Sequence, residues 1–127
     1  MAWGEYKMYR NLVLFRNELK NNKMPKYKME GIVSEMLISR DIFKKNSEIK
    51  NFLNYVFDLD YKDYVMKSRT LIVARTVKTI HNSEETEYNL YKKKLMVFTS
   101  KAIEDWKDRE GSKENRNEFN GWINNRK

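Results

Sequence analysis

The stretch that decides the fold lies at residues 82–109 and reads NSEETEYNLYKKKLMVFTSKAIEDWKDR. Apolar and aromatic residues recur in it every three or four positions, as they do on the buried face of an amphipathic helix. They are Tyr88, Tyr91, Leu95, Phe98, Ala102 and Trp106. Asn82 and Glu85 have the spacing of a capping box, and Gly111 is a typical stop signal. We therefore predict one long helix over about 83–109.

The apolar face of this helix is wide. Leu90, Val97 and Ile103 extend it beyond a single line of contact. A helix with such a face is expected to be buried on more than one side. The rest of the chain could cover it, or a second copy could do so in a homodimer.

Helical spacing of apolar residues also occurs upstream, in segments at about 5–21, 28–39 and 47–57. Pro25 separates the first two, because proline disfavours helix in the residue before it. The residues expected to face the core are Met8, Leu12, Phe15, Leu19, Met29, Ile32, Val33, Met36, Leu37, Ile49, Phe52, Leu53, Val56 and Phe57.

The connections between these segments carry turn and capping residues. We expect residues 39–45 to form a loop that holds Ile42 and Phe43 to the core, and Asn46 or Ser47 to cap the helix that follows. Residues 58–60 should form a short break between helices, with Asp60 as the N-cap of the next helix.

Residues 61–80 are ambiguous. The β-branched residues of Thr70–Ile80 are typical of a strand, but the chain offers no partner strand. We therefore predict one largely buried helix over this segment. Arg69 would then face inward and pair with Asp58, Asp60 or Asp63, since a buried guanidinium needs a partner.

The predicted architecture is all-α. It is a single helical domain over 1–127, a bundle of five or six helices. A polar C-terminal tail, 111–127, could dock as a short helix through Phe119, Trp122 and Ile123.

Composition excludes several kinds of site. The chain has no cysteine, one histidine and four glycines, so it offers no thiol nucleophile, no Cys/His zinc site and no glycine-rich phosphate loop. Its carboxylates are interpreted as helix caps and surface pairs. We expect no metal, no cofactor and no membrane partner. The N-terminus lacks an apolar signal segment, and we expect a cytoplasmic protein.

The placement of the cations is more informative than the formal net charge of +8, because AT-rich codons alone favour lysine. Two zones, residues 64–83 and 88–103, contain lysine and arginine but no aspartate or glutamate. A third group of lysines surrounds Pro25. On one helix, Lys67, Arg75 and Lys78 would share a sector of about 80°. The full set of predicted phosphate contacts is Lys23, Lys26, Lys28, Lys67, Arg75, Lys78, Lys92, Lys93, Lys94 and Lys101, and Lys20 is a further member of the third zone.

These observations favour a small, non-catalytic regulator or accessory protein that binds nucleic acid, with DNA and RNA both open. Tyrosines among the cations could stack on unpaired bases. The richness in lysine and asparagine suits a virus or mobile element of an AT-rich host. The main alternative is an adaptor or inhibitor that places the same cations against an acidic protein surface.

A second alternative is catalytic. Arg75 and His81 are separated by five residues, which resembles the R-x(4–6)-H signature of the HEPN ribonucleases, although Thr76 stands where that family usually has Asn or Asp. The resemblance implies a metal-free, all-helical ribonuclease. His81 would act as general acid or base, and Arg75 would stabilise the transition state.

Overall fold

The computed structural model describes the backbone of residues 3–125 and the side chains of residues 4–111. Within that range the chain forms six helices and no strand, which confirms the all-α prediction. The helices are α1 Trp3–Leu19, α2 Lys26–Ile38, α3 Asn46–Phe57, α4 Asp63–Met66, α5 Arg69–Asn82 and α6 Glu85–Asn125.

Contacts between three pairs of helices build the core. α2 packs against α5, α1 packs against α6, and α3 packs on α6 beside them. Tyr9 of α1 stacks on Trp106 of α6, with ring centroids 4.1 Å apart. The apolar residues predicted for α2 and α3 are all buried, which confirms their spacing as the inner faces of helices. Phe43, in the loop that precedes α3, is buried with them.

The segment predicted as one helix over 61–80 is instead two helices, α4 and α5. Ser68 separates them and caps α5, because its hydroxyl accepts a hydrogen bond from the backbone N of Leu71 at 3.3 Å. The first of the two helices, α4, begins at Asp63, so Asp60 is not the N-cap that was predicted. The strand alternative is also wrong, since Ile72, Thr76 and Ile80 are buried on one face of a helix.

Arg69 is buried as predicted, but its predicted pairing with an aspartate is wrong. Its guanidinium donates to four neutral oxygens, which belong to the side chain of Asn46 and to the backbone of Leu37, Ser39 and Phe43. Asn46 is thereby drawn away from capping α3, whose N-cap is Lys45 without a side-chain bond.

The long helix differs from its prediction at both ends. α6 begins at Glu85, and the backbone N of Glu84 donates to Glu87 Oε1 at 3.1 Å, so Asn82 is not its cap. At the other end the helix passes through Gly111 to Asn125. The predicted stop is wrong because Gly111 keeps a negative φ and does not form a left-handed cap. The predicted docking of Phe119, Trp122 and Ile123 concerns side chains outside the described range.

The wide apolar face of α6 is only partly covered. Ile103 is buried, whereas Leu90 and Val97 are 49% and 50% exposed. This chain alone does not cover Leu90 and Val97, and their burial in a homodimer stays a prediction.

Candidate nucleic-acid interface

Two of the predicted basic zones meet on one side of α6. A groove of about 570 Å³ lies between the end of α1 and α6, and Lys20, Lys92 and Lys93 line it. We call it the lysine groove. Its other lining residues are all neutral: Leu19, Asn22, Asn89, Met96 and Val97. No carboxylate is found among the described residues that line it.

Contacts between the α1–α2 loop and α6 hold the lysine groove together. Lys92 Nζ donates to the backbone oxygen of Asn21. Tyr88 Oη donates to the backbone oxygen of Met24 at 2.5 Å, and Met24 is buried beneath it. Lys20 is therefore fixed near α6, while the exposed ammonium groups of Lys20 and Lys93 face solvent.

The cations around Pro25 have different surroundings. Lys26 Nζ donates to the backbone oxygens of His81 and Ser83, so it caps the C-terminal end of α5. Lys23 and Lys28 are exposed. Lys26 thus has a structural role, and the other two lysines remain candidates for phosphate contact.

The consecutive lysines of α6 do not form one patch, because successive helical residues point about 100° apart. Lys92 bonds to the α1–α2 loop, and Lys93 is exposed in the lysine groove. Lys94 lies over the ring of Tyr55, with Nζ 5.8 Å from the centroid. Lys101 lines a separate groove that also holds Glu48 and Asp105.

A second basic site lies on α5. A groove of about 700 Å³, which we call the α5–α6 groove, is lined by Arg75 and Lys78 and by Tyr61, Thr79, Asn82, Ser83, Glu87 and Tyr91. Arg75 also reaches Tyr64 of α4, where Nη2 donates to the phenol oxygen at 3.0 Å. Lys67 is exposed at the C-cap of α4, so the predicted sharing of one helix face with Arg75 and Lys78 is wrong.

The tyrosines of the α5–α6 groove are held neutral. Burial raises the pKa of Tyr61 above its usual value, although hydrogen bonding with Thr76 and Thr79 and the charge of Arg75 act in the opposite direction. Burial also raises the pKa of Tyr91, and the charges of Glu87 and Asp58 add to the effect. A phenol is already neutral at pH 7, so the charges of Arg75 and Lys78 are what make the groove attractive to an anion.

Arg75 and His81 contact different parts of the chain. Arg75 bonds to Tyr64 on α4, whereas His81 Nδ1 lies 3.2 Å from Glu30 Oε1 on α2. Six residues apart on one helix, the two side chains point about 120° apart. The ribonuclease alternative stays a prediction, which an RNA-cleavage assay would test.

The structure shows two groupings of residues that the periodicity of the sequence does not reveal. Tyr64 was predicted only as one of several tyrosines among cations, and its contact with Arg75 depends on the break at Ser68. Lys20 was predicted to belong to the Pro25 zone, and its approach to Lys92 and Lys93 depends on the packing of α1 on α6. No sequence signal at short range identifies either juxtaposition.

Among the described side chains, no three carboxylate or imidazole groups are placed to hold a metal ion. None of the described helices combines the length and apolar character that crossing a bilayer requires. The chain matches no protein-family model, no curated protein and no solved structure.

Proposed function

We propose that this protein binds nucleic acid without catalysis, through contacts between its cations and the phosphate backbone. The observation that carries the proposal is the lysine groove, where the exposed Lys20 and Lys93 lie beside Lys92 with neutral neighbours only. Clustered ammonium groups release counterions from a nucleic acid when they neutralise its phosphates, which is the main source of such affinity.

The wider charge distribution supports the same function. Lys23 and Lys28 are exposed on the chain segment that borders the lysine groove. Arg75 and Lys78 provide a second phosphate-binding site on α5. Separate basic sites on one small protein suit an extended polyanion better than a small anionic ligand.

The direct test reverses charge inside the groove and, as a matched control, outside it. The variant Lys20→Glu/Lys93→Glu changes two exposed lysines of the groove, and Lys44→Glu/Lys45→Glu changes two exposed lysines of the loop before α3. Both lower the net charge equally. We expect the groove variant to bind a fluorescein-labelled 20-nucleotide strand at least 10-fold more weakly by anisotropy, and the control to change binding less than 3-fold.

Equal losses in the two variants would show that total charge, not the lysine groove, determines binding. Absence of binding by the wild-type protein at low salt would contradict the proposal altogether.

An acidic protein surface is the second candidate partner, and one observation favours it. Leu90 and Val97 are exposed on the α6 face that also carries Lys93 and Lys94. Protein interfaces combine apolar contacts with charged rims in this way. Poly-glutamate serves as the acidic polypeptide probe: binding to it, without binding to any nucleic acid, would favour this function.

A further inference from the structure

The α5–α6 groove joins tyrosine side chains to cations at one site. Tyr64, on α4 beside the groove, is 59% exposed. Arg75 lies over its ring, 5.7 Å from the centroid, and also lines the groove. Lys78 follows Arg75 by one turn of α5, so both cations lie on the same side of the helix.

The groove has a cationic end and an acidic end. Arg75 and Lys78 form the first, and Glu87 lies at the second, near Tyr91. The carboxylate of Glu87 already accepts a hydrogen bond from the backbone of Glu84, which keeps it at the start of α6. A phosphate in the groove is therefore attracted by Arg75 and Lys78 and repelled by Glu87.

We propose that this site binds unpaired nucleotides of a single strand, with a base stacked on Tyr64 and the adjoining phosphate held by Arg75 and Lys78. This inference rests on the proposed function and specifies its ligand class. Base stacking on an exposed aromatic ring and ionic contact with the backbone are the two elements of single-strand recognition. The groove volume of about 700 Å³ accommodates the sugar and a neighbouring base beside Tyr61.

A duplex cannot use this site fully. Its bases are stacked on each other and paired, so no base face is available to Tyr64, and only the phosphates can contact Arg75 and Lys78. The structure therefore predicts tighter binding to a single strand than to a duplex of the same length. DNA and RNA strands share the chemistry required.

The test uses the full chain and labelled 12-nucleotide single strands of DNA and of RNA, with a 12-base-pair duplex for comparison. Tyr64→Ala removes the stacking platform, whereas Tyr64→Phe keeps it and removes only the hydroxyl bonded to Arg75. Tyr55→Ala is the matched control, since Tyr55 is also exposed and lies beside a cation, Lys94, outside this groove.

We expect Tyr64→Ala to weaken single-strand binding about 5- to 150-fold, the range typical of losing one stacked base. Duplex binding should change less than 2-fold, and both Tyr64→Phe and Tyr55→Ala should resemble wild type on every probe. A larger effect on the RNA strand than on the DNA strand would support the inference and assign its source to RNA, and the reverse would assign it to DNA. Thermal unfolding shows whether each variant is folded.

The inference fails, and the proposed function stands, if Lys20→Glu/Lys93→Glu weakens binding to all probes while Tyr64→Ala weakens none. It also fails if Tyr64→Ala weakens single-strand and duplex binding equally. If wild type binds no nucleic acid at low salt, the inference and the proposed function fail together.

Discussion

At the scale of single residues, Arg69 has the greatest structural role. Its Nε donates to Asn46 Oδ1 at 2.7 Å, and its Nη1 donates to the backbone oxygen of Leu37 at 2.8 Å. Nη2 donates to the backbone oxygen of Phe43. One side chain at the start of α5 thus holds the end of α2, the connecting loop and the start of α3. Burial lowers the pKa of Arg69, and the nearby charge of Arg40 adds to this.

Replacing Arg69 should destabilise the fold strongly. Arg69→Met leaves the buried oxygens of Leu37 and Phe43 without donors, and each unsatisfied buried group costs about 1–3 kcal/mol. We expect a loss of roughly 3 kcal/mol in the free energy of unfolding, measured by urea denaturation. Arg40→Met, at an exposed site in the loop, is the control and should change stability by less than about 0.5 kcal/mol. A stability loss no greater than that of the control would contradict this role.

Buried tyrosines predict instability in alkali. Burial raises the pKa of Tyr61, Tyr88 and Tyr91 above the usual value of 10.0. The folded state favours the neutral phenol. Each phenol therefore contributes fully to the free energy of unfolding below pH 10, and this contribution is lost as the pH rises through the pKa of the folded state. The urea concentration at the midpoint of unfolding should therefore decrease as the pH is raised above about 10. Tyr88→Phe should make that fall shallower, and an unchanged pH profile in this variant would contradict the assignment for Tyr88.

At the scale of elements, the positions and inner faces of helices were predictable where apolar spacing was regular. Ile49, Phe52, Leu53, Val56 and Phe57 form such a series, and all are buried. The ends were less predictable, because a capping residue can be used elsewhere: Asn46 binds Arg69 and Met66 rather than capping α3. Likewise, Gly111 stops a helix only in a left-handed conformation, which its sequence neighbours do not impose.

Glycines inside helices provide a test at this scale. Gly31 lies within α2, and a Cβ there would meet nothing within 4 Å. Gly31→Ala should stabilise the protein by about 0.5–1 kcal/mol, since alanine loses less backbone entropy in a helix. At Gly4 of α1, the added Cβ would lie 3.0 Å from Asp41 Oδ1, so Gly4→Ala should gain less. Urea denaturation compares the two, and a destabilised Gly31→Ala variant would contradict the helical assignment of residue 31.

At the scale of the whole molecule, the basic zones were predictable but their arrangement was not. Lys92 and Lys93 lie close together in the sequence, whereas their approach to Lys20 requires the α1–α2 loop to pack on α6. Conversely, Lys67 was predicted beside Arg75 and Lys78 on the assumption of an unbroken helix, and the break at Ser68 separates it from their helix. Tertiary contacts therefore determine which cations can act together.

The most direct test of phosphate binding is the salt dependence of affinity for a labelled single strand, measured by anisotropy from 50 to 300 mM salt. Each neutralised phosphate of a single strand contributes about −0.7 to the slope of log K against log salt. Contact by Lys20, Lys93, Arg75 and Lys78 predicts a slope of about −2.8, which Lys20→Glu/Lys93→Glu should make shallower by about 1.4. A slope near zero, or one that this variant leaves unchanged, would contradict the account.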